Sequence, residues 1–447
     1  MPGILSPAIP GEQAGSLLAL QFQLAQSQWW TPDVMADVHR AQLTVLLEHV
    51  WRQIPYYRER LAGIGWQPGQ LLSSEQFRRI PILSREQAMR AGEALRAAAL
   101  PEGHGKISSG TTSGSTGRAL RYWNSEAFRL MQDAGNLRFY LWHRWDLVCD
   151  SGGILVDMER RAEAPDGKTF AHWGDWVSSI YPTGRYHLLS ARSSLQQQLE
   201  WLQARRPAYL HIYPSNLEAL LLAADRQQSD LSFIQRLCTL GETVKPALRA
   251  MVRERFDQPL LDVYSAHEVG YMAIQCPRHE HYHVQAESVV LEVLDQHDQP
   301  CAPGQVGRVV VTPLHNFAAP LLRYEIGDYA EVGEPCDCGR QLPVIRRILG
   351  RTRNMLRKPD GSVSWPHFGT KKMHERAPIE QFQVAQTAID RIELRLVVKQ
   401  RLSAELEAEL IAILRDNLDY PFAIGIRYFD RLERSAGGKY EDFISLL

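Results

Sequence analysis

Residues 108–123, SSGTTSGSTGRALRYW, open with an almost unbroken run of serine, threonine and glycine. Glycines let backbone N–H groups turn inward on an anion, and hydroxyls add further donors, which is the chemistry of a phosphate cradle. Arg118 closes the run with a guanidinium suited to phosphate. A helix expected from Ser125 to Trp142, starting just beyond the run, offers its positive amino end to the same anion. A slack Gly/Ser linker is the competing reading; against it, the run sits inside α/β texture rather than between blocks of different texture. No Gly-Lys-Ser/Thr closes it, so it is not a Walker loop.

Three further stretches carry chemistry. In VYSAHEVGYMAIQC (263–276) a strand ends at Tyr264 and Glu268 follows in the turn. Open α/β sheets bind ligands beyond the carboxyl ends of their strands, so Glu268 is placed to hold Mg²⁺ beside phosphates, with a surface carboxylate as the alternative. In RYEIGDYAEV (323–332) Asp328 follows a glycine turn between strand-like segments, and Gly350–Arg351 opens a change of texture; single residues of that kind are ordinarily turn or surface residues. Cys336 and Cys338 form CDCG, with CPRHEHYH (276–283) upstream. Thiolates and imidazoles in that number suit tetrahedral structural zinc, against the alternative of no metal. His279, His281 and His283 compete as the imidazole ligand; His283 has the advantage of opening the strand HVQAESVVLEV.

These groups need a scaffold, and the composition supplies an ordinary one. The 447 residues are 45% hydrophobic and 23% charged, enough for two or three domains with a large core. Fifty basic and 51 acidic side chains leave no global field toward nucleic acid or anionic membrane, so a charged ligand must be met locally. No apolar run is long enough to span a bilayer and the amino terminus lacks a basic flank; the expectation is a cytoplasmic protein with no need of disulfides among its six cysteines.

Helical spacing marks 34–62, broken at Pro55, and 84–97, capped by Ser84 with Gln87 three residues on. From 152 to 265 short strands alternate with helices, which predicts an α/β core with a largely parallel sheet. After about 284 the texture is β-rich, and from about 352 it reads β-α-β-α-β with a hairpin at Asp360–Gly361, a small α+β domain.

TSGSTG, LGE, YSxxE, RYxxGD, a Gly-Arg hinge and a terminal Gly-Lys, in this order, resemble the acyl-adenylate-forming ligase superfamily. The nearer resemblance is to its phenylacetate–CoA ligase branch, with CapK-like and coenzyme F synthetase-like proteins. It implies a large adenylate-forming domain with mixed sheets and flanking helices over 1–350 and a small mobile α+β lid over 351–447. Thr112, Ser113, Gly114, Ser115, Thr116 and Gly117 are then expected to wrap ATP phosphates. Gly241 and Glu242 would form the turn beside adenine, with Tyr264 and Ser265 nearby. Glu268 matches the magnesium ligand, Asp328 the ribose-binding aspartate, Arg351 the arginine after it, and Lys439 the lysine that meets the acyl carboxylate and α-phosphate. The branch's zinc pattern maps to Cys276, His283, Cys336 and Cys338.

The implied activity is MgATP-dependent conversion of a small carboxylic acid to an acyl-adenylate with release of pyrophosphate. Acyl transfer follows, to coenzyme A, a carrier-protein thiol, an amine or a hydroxyl. Tyr213, Pro214 and Tyr271 are candidate walls of the acid pocket. Three departures stand out: Arg118 in place of the usual lysine, Thr352–Asn354 where acidic hinge residues are common, and RKPDGSVSWP (357–366) in place of a glycine-rich thioesterification strand. The last argues against coenzyme A as acceptor. A homodimer is left open, and a catalytically silent nucleotide-binding scaffold is the alternative function.

Overall fold

A computed structural model of the chain describes residues 10–112, 120–155, 166–351, 355–364, 366, 368–418, 420–432 and 442–447. Ser113, Gly114, Ser115, Thr116, Gly117, Arg118, Thr352–Asn354 and Lys439 lie outside the described residues.

Two helices open the chain, α1 (Glu12–Ser27) and α2 (Pro32–Gln53). Thr31 caps α2, Pro32 occupies its first turn, and Pro55 stops it before a 3₁₀ turn and the short α3 (Arg58–Ala62). Helix α4 (Ser74–Arg79) leads into strand β1 (Leu83–Ser84) and helix α5 (Arg85–Ala91). Ser84 and Gln87 close a reciprocal capping box on α5. The helix expected to reach 97 ends at Ala91, where Gly92 takes φ +48° and a 3₁₀ turn follows. A hairpin of β2 (Ile107–Thr111) and β3 (Arg121–Ser125) precedes α6 (Glu126–Trp142), capped by Ser125.

The hairpin corrects one expectation. Thr111 pairs with Arg121 at the loop end, whereas Ser125 pairs with Ile107 at the far end. Helix α6 therefore starts beside Ser108, at the beginning of the run, and a strand's length, roughly 13 Å, from Thr111 at the loop end.

The α/β core follows as β4 (Ser151–Leu155), β5 (Lys168–Phe170), α7 (Asp175–Ser178), β6 (Tyr186–Ser190), α8 (Leu195–Arg205), β7 (Tyr209–Ile212), α9 (Pro214–Gln227), β8 (Arg236–Leu240), α10 (Pro246–Phe256) and β9 (Leu261–Ala266). Strands β6, β4, β7, β8 and β9 lie side by side and parallel. From there the sheet continues antiparallel through β10 (Gly270–Gln275), β11 (Tyr282–Val284), β12 (Val289–Leu294), β13 (Val306–Pro313), β14 (Tyr324–Val332) and β15 (Val344–Arg351). With β1, which pairs parallel with β14, these strands form one mixed thirteen-stranded sheet whose main parallel block is β6-β4-β7-β8-β9. Connections such as the three-residue turn from β9 to β10 are too short for a parallel crossover, which forces the change of direction.

Apolar faces hold the layers together. Leu46, Leu47 and Val50 of α2 pack on Val309, Val311 and Tyr324 of the antiparallel half, while Leu202, Leu217, Leu221 and Val252 of α8, α9 and α10 cover Leu210 and Ile212 of β7. The tail carries β16 (Leu356–Arg357), β17 (Val363–Ser364), α11 (Thr370–Arg376), β18 (Ile379–Ala388), β19 (Arg391–Val398), α12 (Ala404–Leu418), β20 (Ala423–Tyr428) and β21 (Phe443–Ser445). Strands β20-β19-β18-β21 form a separate four-stranded sheet, and its core, from Leu356 to Phe443, draws on tail residues alone.

Candidate active site

Parallel strands end together, so the loops after them share one edge of the sheet. At that edge Gly241 follows β8 with φ +78°, a backbone conformation that suits glycine. The Glu242 carboxylate accepts the backbone N–H of Ser215 at 3.0 Å, satisfying an orphan donor in the first turn of α9. One strand over, Tyr264 and Ser265 lie at the end of β9 and Glu268 in the turn beyond, only 4% exposed.

Glu268 sits in a cluster that sequence reading missed. Arg85, the first residue of α5, donates to Glu268 Oε1 (3.0 Å), to the Tyr324 hydroxyl (2.9 Å) and to Thr112 Oγ1 (2.8 Å). Burial works against the guanidinium's charge, but Tyr324 and Glu268 outweigh it and raise its pKa. Thr112 in turn closes the base of the β2–β3 loop: its N–H donates to Leu120 O (2.8 Å), and its hydroxyl accepts from Leu120 N–H (3.0 Å). One arginine therefore ties the root of the Ser/Thr/Gly run to the buried carboxylate.

The second cluster centres on Asp328. The expected glycine turn between two strands is instead a bulge within the continuous β14, where Ile326, Gly327 and Asp328 oppose the single residue Val309. Gly327 takes φ +91° there. The bulge aims Asp328 at Tyr264, whose hydroxyl donates to Oδ2 at 2.8 Å, and at Arg351, whose Nε lies 3.3 Å from Oδ1. Arg351 stands opposite Asp328 in the β14–β15 register. Burial and the adjacent Asp328 carboxylate push the Tyr264 hydroxyl well up, keeping it a donor at neutral pH. The two clusters are electrostatically linked, since Glu268 also acts on Tyr264 and Arg351 on Tyr324.

Two pocket-wall candidates have other duties. Tyr213 is buried in the α8–α9–α10 core. The ring of Tyr271 lies against Gly135 of α6, its N–H donates to Gln132 Oε1 (2.8 Å), and its hydroxyl donates to Asn136 Oδ1. The described residues do not bring these two aromatics into one pocket wall. Pro214, buried in the first turn of α9, remains beside the edge.

Near this edge the tail meets the main sheet. Lys245, before α10, pairs with Asp442 and lies 3.7 Å from Glu218; burial opposes its charge, but the two carboxylates raise its pKa. Arg226 Nη2 donates to Ile379 O at 3.2 Å.

At the other end of the strands, Cys276, His281, His283 and Cys336 bring ligand atoms within 4.8 Å of one another. The Cys276 and Cys336 sulfurs are 3.8 Å apart, and Cys338 Sγ lies 3.4 Å from His283 Nε2. The edges of a tetrahedron built on zinc–sulfur and zinc–nitrogen bonds are roughly 3.8 and 3.5 Å, so both pairs match. Burial and His281 push His283 down to about 4, leaving the neutral imidazole that metals require. His281 Nε2 is buried without a partner among the described residues and makes a fifth donor, while His279 is held by Asp337 at 2.5 Å.

No family model matches the chain. A phenylacetate-coenzyme A ligase of Thermus thermophilus is 26% identical over 331 residues, 70% of each chain. Protein CapK of Staphylococcus aureus is 24% identical over 342 residues, 73% of this chain and 72% of that one. A 2-hydroxyisobutyryl-CoA ligase solved in the postadenylation state shares the fold with a TM-score of 0.73 at 17% identity, covering 94% of this chain and 93% of that one. With these relatives, the chain fits the phenylacetate–CoA ligase branch of the acyl-adenylate-forming ligase superfamily.

Proposed function

We propose that this chain is an adenylate-forming ligase that joins a small carboxylic acid to AMP, releasing pyrophosphate, and then passes the acyl group to coenzyme A. The observation that carries the reading is the pair of linked clusters, Thr112–Arg85–Glu268–Tyr324 and Tyr264–Asp328–Arg351, on the carboxyl edge of the parallel strands. Relatives named as coenzyme A ligases support that acceptor over a carrier-protein thiol, an amine or a hydroxyl, against the hairpin that stands in place of a glycine-rich strand. A silent scaffold has no need of two linked charge clusters at this edge, and the ligase relatives do not favour it.

The chemistry brings a carboxylate to the α-phosphate, so two anions must approach while charge grows on pyrophosphate. Groups already oriented toward that charge lower the barrier most, because they need no reorganisation. Thr112 through Gly117 would hold the phosphates. Glu268 would hold Mg²⁺, which neutralises charge on the phosphates when bound. One carboxylate completed by substrate phosphates and water is a usual donor set for that ion, so Glu268 fits. Its Oε1 carries the Arg85 and Tyr324 contacts, so Arg85 holds the carboxylate in place until the ion arrives. Asp328 would take the ribose hydroxyls, with Tyr264 and Arg351 fixing its two oxygens, and Gly241 and Glu242 would border the adenine. Lys439, three residues before Asp442 in sequence, would meet the acyl carboxylate and α-phosphate.

The reading divides the chain into 1–350 and a mobile lid, 351–447. Support comes from the self-contained tail core and from the neighbour's thioesterification state, where the TM-score falls to 0.60 from 0.73. Structural zinc on Cys276, His283, Cys336 and Cys338, with His281 as competing ligand, and a cytoplasmic setting belong to the same proposal. A cell extract with MgATP and the protein should yield one mass-resolved acyl-AMP, naming the acid; extracts that yield none while the protein binds ATP would contradict it.

A further inference from the structure

A cavity of about 740 Å³ lies at the opposite ends of the same strands. It is bounded by Arg236, which opens β8, and by Leu261, which opens β9. Glu268 follows the other end of β9, so this cavity is about 17 Å or more from the adenylating edge. Six arginines line it: Arg138, Arg144, Arg236, Arg253, Arg278 and Arg340. Glu280 is the one carboxylate among the lining residues.

Two of the six are neutralised. Arg138 forks onto Glu287 behind the wall, and Arg253 pairs with Glu280 at 2.6 Å. Among the described residues the other four have no carboxylate within ion-pair distance. Arg236 donates to Gln258 Oε1 (2.5 Å), Arg340 to Gln28 Oε1 (2.9 Å) and to Cys338 Sγ (3.6 Å), and Arg278 to the backbone oxygen of Asp337 (3.4 Å); Arg144 is exposed. The Asp337 carboxylate feels Arg278 but is already paired with His279. Arg340 also sits over the Trp142 ring, its Cζ 4.3 Å from the ring centre, which stiffens the fork. The potential registers on His143 in the cavity wall: burial first, then Arg236 and Arg340, push it down to about 4.

Three guanidinium groups without an anionic partner among the described residues, and a fourth, Arg340, shared with the Cys338 sulfur, in a chain of net charge −1, call for an anionic occupant. Planar forks match phosphate and carboxylate oxygens in pairs. The volume is that of a small-molecule pocket, and Leu24, Leu141, Trp142, Pro259 and Leu261 give it an apolar wall as well. We propose that this cavity binds a small organic polyphosphate, its phosphates on Arg144, Arg236, Arg278 and Arg340 and its apolar body along Trp142 and Leu141. This is a second ligand site, separate from that of the adenylated nucleotide.

Calorimetric titration of the full chain with inorganic tripolyphosphate tests it, since this probe carries the phosphates without a base. The wild type should bind it, and Arg144→Gln/Arg278→Gln should weaken binding at least about tenfold, the loss expected from two charge-assisted contacts. ATP–pyrophosphate exchange and the melting temperature should stay unchanged in that variant, since both arginines lie outside the adenylating clusters. No binding at millimolar probe, or equal binding by the variant, overturns the proposal. Variant-sensitive recruitment to phosphatidylglycerol vesicles without tripolyphosphate binding overturns it too, in favour of a membrane surface. Failure here leaves exchange activity intact and so is distinct from failure of the ligase reading.

Discussion

Arg85 joins three partners that lie 27, 183 and 239 residues away, and that separation is why sequence reading passed over it. One local signal was present: a cation at the first position of a helix faces the positive end of the helix dipole and needs a compensating anion. Glu268 is that anion. Replacing Arg85 with alanine leaves a buried carboxylate unpaired, so Arg85→Ala should lose about 3–5 kcal/mol of stability in denaturant titrations. Arg85→Lys retains the charge without the fork; it should fold while lowering pyrophosphate exchange. Lys439 was legible only through its motif. Lys439→Ala should cut exchange by about a hundredfold or more with ATP affinity nearly unchanged, as expected for a group acting in the transition state; equal loss of both would remove that role.

Caps and periodicity made the helices legible at the scale of elements. Ser84, Ser125 and the prolines that open α9 and α10 set boundaries where the structure has them, because these signals are local. Helix α1 was missed: its Gln-rich sequence is helical because it packs on α6, where Leu17 and Leu24 meet Ala134 and Leu137. The sequence suggests a turn where β14 has its bulge, since a lone glycine signals either and only the pairing with β13 decides. A Cβ at Gly327 meets nothing within 4 Å, so Gly327→Ala should cost only the backbone penalty of its positive φ, about 1–2 kcal/mol. Relief of that strain turns Asp328 away, so ATP affinity by calorimetry should fall while the variant remains folded.

For the whole molecule, buried histidines make stability depend on pH. His143, His211 and His315 are all held near 4, with burial the first cause in each. The unfolded chain takes up protons at these groups below about pH 6.5 while the folded chain does not, so stability falls as pH drops from 6.5 toward 4. Urea midpoints should decline across that window, by up to about 1.4 kcal/mol per pH unit for each histidine. His143→Gln should flatten the decline. Zinc analysis should find one ion per chain, and Cys338→Ser should lower both the metal content and the melting temperature. The cysteine spacing pointed to this cluster, but only the β10–β11 pairing brings His281 into it as well.

The central claim is adenylation at the Glu268 and Asp328 clusters, and ATP–pyrophosphate exchange over a broad panel of carboxylic acids tests it most directly. Exchange should appear with at least one acid, require Mg²⁺, and be lost in Glu268→Gln and strongly reduced in Asp328→Asn, with both variants folded. Absence of exchange with every acid despite intact ATP binding, or exchange undiminished in Glu268→Gln, would contradict the account.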